Sequence, residues 1–183
     1  MTQYARPDGH HSNGVGNWTD GMMGASNLHL LIDETDSGSD GNTTYITSGA
    51  EMDTSPDTAE FTLGDVDDPE SAADHKLVYV ASGAGGFGPA PNITVALYQG
   101  STEIASATNT SLSGSYATTT ITLSSSEANA ISDYTALSVR VTRGSGNMGD
   151  SVSVSQIFFE CPDAEEEEEE TATSPAFLLF MGM

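Results

Sequence analysis

The stretch from Asn92 to Thr142 constrains the fold more than any other part of this sequence. Ile93, Val95 and Leu97 alternate with Thr94, Ala96 and Tyr98, so one face is apolar with a period of two residues. Gln99-Gly100-Ser101 is a turn signal, and Glu103 to Ser106 resumes the pairing beyond it. Thr118 to Leu123 is a β-branched run with Ile121 and Leu123 on one face. Ser124-Ser125-Ser126-Glu127 has the Ser-x-x-Glu form of a capping box, which predicts a turn or two of helix through Ala128, Ala130 and Ile131. Leu137, Val139 and Val141 then alternate with Ser138, Arg140 and Thr142, which is a strand again. Each strand carries a flat apolar face, and such faces are buried against a second sheet.

The remainder of the chain repeats this grammar. Strands are expected at Leu28–Ile32, Thr43–Thr47, Ala59–Leu63, Lys76–Ala81 and Ser151–Phe159, separated by loops rich in Gly, Asp, Ser and Pro. The expected fold is an all-β, antiparallel β-sandwich, jelly-roll-like, of about eight strands with one short helix. Four parts follow from the composition. Residues 1–27, rich in Gly, Asn and His, read as an N-terminal extended arm. Residues 28–160 form the sandwich. Residues 161–174 include the run Glu165–Glu170, whose like charges repel and extend the chain into an acidic linker. Residues 175–183 are an apolar docking peptide.

The charge excludes whole classes of partner. The 183-residue chain holds 4 Lys and Arg against 27 Asp and Glu, a formal net charge of -23. Too few cations are present to displace counterions from nucleic acid, and an anionic membrane is disfavoured for the same reason. No apolar run approaches the length of a membrane span. The start lacks the basic and apolar regions of an export signal, so synthesis in the cytoplasm is expected. Cys161 is the only cysteine, so no intramolecular disulfide forms, and the residue reads as a small buried side chain ending the last strand.

Candidate site residues are few. Trp18, the only Trp, either closes one end of the sandwich or serves as a sugar-stacking platform or, ahead of that, an interface anchor. Phe177, Leu178, Leu179, Phe180 and Met181 are anchors for docking, on this chain's own domain or on a neighbour, and adding a strand to a sheet edge is one route. The loop Asp36-Ser37-Gly38-Ser39-Asp40-Gly41 partly matches a calcium loop, but Gly38 replaces an acidic ligand and Thr47 stands where the closing Glu belongs. An EF-hand is rejected. A looser calcium site on Asp33, Asp36 and Asp40 stays open beside the plainer reading of a solvated turn. Asp65, Asp67 and Asp68 form a second acidic loop of the same kind. His10, His11, His29 and His75 lack metal-ligand spacing. No nucleophile elbow is present, and Gly83–Gly88 lacks the Lys and helix of a phosphate loop.

The order of several motifs resembles one group of proteins. Arg6-Pro7-Asp8, Trp18, Leu30-Leu31-Ile32-Asp33-Glu34 and Thr44-Tyr45-Ile46 make one half. The other is Val95-Ala96-Leu97-Tyr98-Gln99-Gly100, Ile104-Ala105-Ser106, Asp133-Tyr134-Thr135 and Leu137-Ser138-Val139-Arg140. Over residues 4 to 160 this is similar to β-sandwich proteins encoded by tailed bacteriophages and prophages. The resemblance implies a non-enzymatic structural component of the virion, assembled in the host cytoplasm. The first expectation is a capsid decoration, cement or head-fibre protein. It would be a homo-oligomer docked on the major capsid protein through its arm and apolar terminus, with no cofactor apart from the open calcium question. The alternative is a tail or fibre module binding host surface glycans, which exposed aromatics such as Phe87, Tyr98 or Tyr116 would favour.

Overall fold

A computed structural model of the chain describes residues 1–21, 24, 26–35, 42–48, 56–85, 92–145, 147 and 149–164. The elements in chain order are β1 (Thr2–Ala5), β2 (Pro7–His10), β3 (Trp18–Thr19), a 3-10 turn (Leu28–Leu31), β4 (Ile46–Ser48) and β5 (Asp57–Leu63). Then come β6 (Lys76–Ala84), β7 (Ile93–Gln99), β8 (Thr102–Asn109), β9 (Ala117–Thr122), helix α1 (Ser125–Ala128), β10 (Leu137–Arg143) and β11 (Ser151–Pro162). All strand pairs are antiparallel.

Two sheets face each other. One runs β3-β4-β11-β6-β9 with β1 also on β11; the other runs β2-β5-β10-β7-β8. Taken from β4 onward, the orders are 4-11-6-9 and 5-10-7-8, which is how two wound Greek keys distribute eight strands in a jelly roll. The all-β sandwich expected from the alternation is thus the observed fold.

The core follows the period-two pattern. Ala59, Phe61 and Leu63 on β5, Ile93, Val95 and Leu97 on β7, and Leu137, Val139 and Val141 on β10 are all buried inward. Each large apolar side chain so enclosed contributes roughly 1.5–3 kcal/mol. On β11 the inward residues are Val152 and Val154, then Ile157, Phe159 and Cys161. Even numbers become odd because the pairing with β6 shifts between Val154 and Gln156. One extra residue in the strand keeps both halves of β11 facing the core.

The N-terminal segment is not a free arm. β1 pairs with β11, β2 with β5 and β3 with β4, so residues 2 to 19 serve as edge strands of both sheets. The sandwich therefore begins at Thr2 rather than at residue 28, and its last strand ends at Pro162. These segments are too short to show a periodicity; backbone bonding to longer strands makes them strands. Leu28–Leu31 is a 3-10 turn and not the expected strand. Leu28 and Ile32 are buried and Leu30 is exposed, a helical rather than an alternating pattern. The chain after this turn fills the gap on β11 between β1 and β4. There the Ile157 N–H donates to the Ile32 carbonyl at 3.0 Å, and Gln156 Nε2 donates to the Glu34 carbonyl at 3.0 Å.

Helix α1 forms as the capping box requires. Ser124 Oγ accepts the Glu127 N–H at 3.3 Å, and Glu127 Oε2 accepts the Ser124 N–H at 2.6 Å. Among the described residues, no helix is long and apolar enough to cross a membrane. The acidic run and the apolar peptide, residues 165–183, lie outside the described residues.

Candidate functional site

The outward face of the five-stranded sheet is polar and built in ranks. Antiparallel register places Thr58, Thr142, Thr94 and Thr108 side by side across four strands. The next rank is Glu60, Arg140, Ala96 and Ser106, and the third is Thr62, Ser138, Tyr98 and Glu103. These are the residues left on the far side of the sheet when their neighbours turn inward. The threonine hydroxyls pair across strands, Thr58 with Thr142 at 2.9 Å and Thr94 with Thr108 at 2.8 Å.

The middle of this face is an ion-pair network. Glu60, only 1% exposed, accepts from Arg140 Nε at 3.0 Å and Nη2 at 2.9 Å. It also accepts from Asn13 Nδ2 at 2.7 Å and Ser138 Oγ at 3.0 Å, and His11 Nδ1 lies 3.3 Å away. Burial acts to raise the Glu60 carboxyl, but the hydrogen bonds from Asn13, Arg140 and Ser138 and the charge of Arg140 outweigh it. The group therefore sits below the ordinary carboxylate value. The Arg140 guanidinium also lies over the Tyr98 ring, 4.0 Å from its centre. The Tyr98 hydroxyl donates to Glu103 Oε2 at 2.9 Å, and Ser106 donates to Glu103 Oε1 at 2.7 Å. These bonds hold the Glu103 carboxyl low, the Ser106 one most, while burial and Glu103 hold the Tyr98 phenol high.

Above this network the face forms an open groove of about 510 Å³, lined by Asn13, three threonines of the first rank (Thr58, Thr94 and Thr142), Glu60, Ala96, Tyr98, Glu103 and Arg140. Asn13 and His11 come from the turn after β2, whose backbone is tied to the sheet by His11 N–H to Glu60 carbonyl and Glu60 N–H to Gly14 carbonyl bonds, both 3.0 Å. The N-terminal segment thus supplies one wall.

Trp18 does not belong to this site or to any surface. It is fully enclosed, and its indole N–H donates to the Asp57 carbonyl at 3.3 Å. Its role is closure of the core, which corrects the expectation of a partner-binding anchor: at the start of β3 its side chain points between the sheets. Phe177, Leu178, Leu179, Phe180 and Met181 lie outside the described residues, as do Asp36, Asp40 and Phe87. Asp33 is half-buried, and among the described residues no group of three His, Cys, Asp or Glu is placed to hold a metal ion. Tyr116 lies against Tyr45, their ring centres 6.2 Å apart and their planes tilted by 51°, and neither lines the groove.

His10, His29 and His75 serve packing. His10 Nε2 accepts the Leu28 N–H at 3.0 Å, and its ring contacts His29 and Phe61 edge-on. His75 is buried and bonds the Tyr134 hydroxyl at 2.7 Å and the Ala73 carbonyl at 2.8 Å. Cys161 is buried at the end of β11, where burial above all pushes its thiol up to about 12.

Sequence reasoning named Tyr98 but missed Glu60, Glu103 and Arg140 as a unit. The available signal was charge at outward strand positions otherwise filled by Ser and Thr, with Arg140 one of only 4 Lys and Arg.

No protein-family model matches the chain, and no curated protein does. Among solved structures it is similar to a Stig cyclase, Fisc, from Fischerella sp. TAU, at 19% identity and a TM-score of 0.42. The match covers 67% of this chain, and the chain spans 64% of that one. It is also similar to TmCBM61 in complex with β-1,4-galactotriose, at 13% identity, a TM-score of 0.39, and 66% and 71% coverage. A family 35 carbohydrate-binding module from an environmental isolate matches at 13% identity, a TM-score of 0.38, and 86% and 98% coverage. These likenesses are of β-sandwich architecture and say nothing about ligand or chemistry.

Proposed function

We propose that this chain is a non-enzymatic binding module displayed on a tailed-phage virion, and that its groove on the five-stranded sheet takes carbohydrate from the host surface. One observation carries the reading: the groove combines hydroxyls, an amide, two carboxylates and a guanidinium on a rigid sheet beside the ring of Tyr98. Sugar hydroxyls both donate and accept, and they need fixed partners of both kinds, with some apolar surface for the C–H faces of the ring. Arg140 Nη1 has no acceptor among the described residues, so it remains a donor for such a ligand. The two carboxylates of the groove, Glu60 and Glu103, both sit below the ordinary carboxylate value, which supports a binding role. Hydrolysis by paired carboxylates needs one held above it. The module would be made and assembled in the host cytoplasm.

The test is a glycan array probed with the full chain and with Tyr98→Ala. Binding by the full chain, weakened about tenfold or more in the variant, supports the reading. Silence on glycans and on host cells sinks it.

A second reading, capsid decoration as a homo-oligomer on the major capsid protein, is favoured by the acidic run Glu165–Glu170 followed by Phe177–Met181. Co-sedimentation with capsids, comparing the full chain with one ending at Glu170, separates the two. High-stoichiometry binding lost on truncation means decoration through the terminal peptide. Binding by neither form leaves the glycan module.

A further inference from the structure

Resting on the carbohydrate reading above, we infer that the ligand is an uncharged, linear glycan lying along β10 across two adjoining depressions, not a single terminal sugar and not an acidic one. The first depression is the groove already described. The second, about 450 Å³, opens on the same side of the sheet and is lined by Asp8, His11, Thr62, Asp65, the turn residues Thr135 and Ala136 and the start of β10 at Leu137 and Ser138, with Gly100 beside them. The two meet at Glu60. Ser138, from the second, donates to Glu60 Oε1, and His11, also from the second, stands 3.3 Å from the same oxygen.

Their alignment follows the strand. Thr142 and Arg140 line the first depression, and Ser138 and Ala136 the second, each two residues on from the last. At about 3.4 Å per residue the line from Thr142 to Ala136 is about 20 Å. One sugar ring cannot fill both depressions, whereas a chain of rings can. The floor is fixed at both ends. Thr142 is bonded to Thr58, and Gly100 N–H is bonded to the Ala136 carbonyl at 3.1 Å.

The charge of the lining selects against acidic sugars. Arg140 is the one Lys or Arg among the lining residues, and its charge is matched by Glu60. Glu103 in the first depression and Asp8 and Asp65 in the second are left as excess carboxylates. A uronate or sialate would face them without a compensating cation, which is discrimination by repulsion. Hydroxyl-bearing neutral rings meet acceptors at the carboxylates and donors at Arg140, Asn13 and the threonines.

The experiment is calorimetry of the full chain against neutral linear galacto-, gluco- and manno-oligosaccharides, from single sugars to hexasaccharides, with oligogalacturonate as the acidic counterpart of the galactose series. Affinity for at least one neutral backbone is expected to rise about tenfold or more with length and then level off. Filling the second depression with Asp65→Trp, at an exposed position, is expected to remove that gain. Oligogalacturonate is expected to bind about tenfold or more weakly than its neutral counterpart, with the gap narrowing as salt rises. Binding independent of length, or uronate bound as well as the neutral chain, overturns the inference while the carbohydrate reading stands. Absence of binding by every sugar at every length overturns both.

Discussion

Arg140 and Glu60 stand opposite one another on β10 and β5, and the guanidinium donates twice to one carboxylate oxygen, from Nε at 3.0 Å and Nη2 at 2.9 Å. Asn13 and Ser138 donate to the same carboxylate, so Glu60 joins the N-terminal segment to the sheet. Glu60→Ala leaves these donors without their acceptor. The expected cost is about 1–3 kcal/mol, with a smaller loss for Glu60→Gln, read from urea midpoints at neutral pH.

The same carboxylate makes a pH prediction with a definite sign. Its folded-state value lies below its ordinary value of 4.5. The stability it contributes is therefore present above that value and is lost as pH falls through the lower folded one. The chain as a whole has the opposite tendency, because protonation relieves the repulsion within a net charge of -23. Comparison with Glu60→Gln isolates the single group: the wild-type advantage at neutral pH is expected to shrink below about pH 4.5. A constant advantage down to strong acid contradicts the assignment.

Trp18 is a complete structural reporter. It is the only Trp and is fully enclosed, so its fluorescence is expected to shift to the red in a single transition on unfolding. Trp18→Ala removes the largest side chain of the core and the bond to the Asp57 carbonyl, at a cost of about 3–5 kcal/mol by thermal or urea melts.

Cys161 is expected to be inert while the protein is folded. Its thiol is buried and pushed up to about 12, so little thiolate exists at mildly alkaline pH and none of it is accessible. A thiol-reactive dye is expected to label it only in denaturant. Rapid labelling of native protein would mean that the end of β11 opens readily.

Ser124→Ala tests the capping box. The hydroxyl accepts the Glu127 N–H, and Glu127 in turn is held below its ordinary value first by its bond from Ser124. A loss of about 1 kcal/mol is expected in denaturant melts, together with a rise in the Glu127 value toward normal by NMR titration.

The long strands and the helix start were legible because their signals are local. Alternation at Ile93–Tyr98 and Leu137–Thr142 gives the face that must be buried, and Ser124 and Glu127 are a short-range pair whose geometry needs no tertiary context. The Leu28–Ile32 run was ambiguous, since a short apolar run fits a strand or a helical turn equally well. The spacing of Leu28 and Ile32 carried the helical answer, and burial of both in the core, with the Leu28 N–H held by His10 at the end of β2, decided it.

The groove was not legible in this way. Glu60, Glu103 and Arg140 are far apart in sequence, and each alone reads as an ordinary outward-facing charge on a strand. By itself the sequence determined that these residues face away from the core, because the period of a strand is two. Which strands lie beside one another was decided by the jelly-roll winding, which sets β5, β10, β7 and β8 in one sheet. The register then decided that Arg140 meets Glu60 on one side and Ala96 on the other. Docking of residues 2 to 19 on the sheet edges decided that Asn13 walls the groove and His11 the depression beside it. Side-chain direction is a property of the local chain; which side chains meet depends on pairing between segments tens of residues apart, and only the packed sheets supply that.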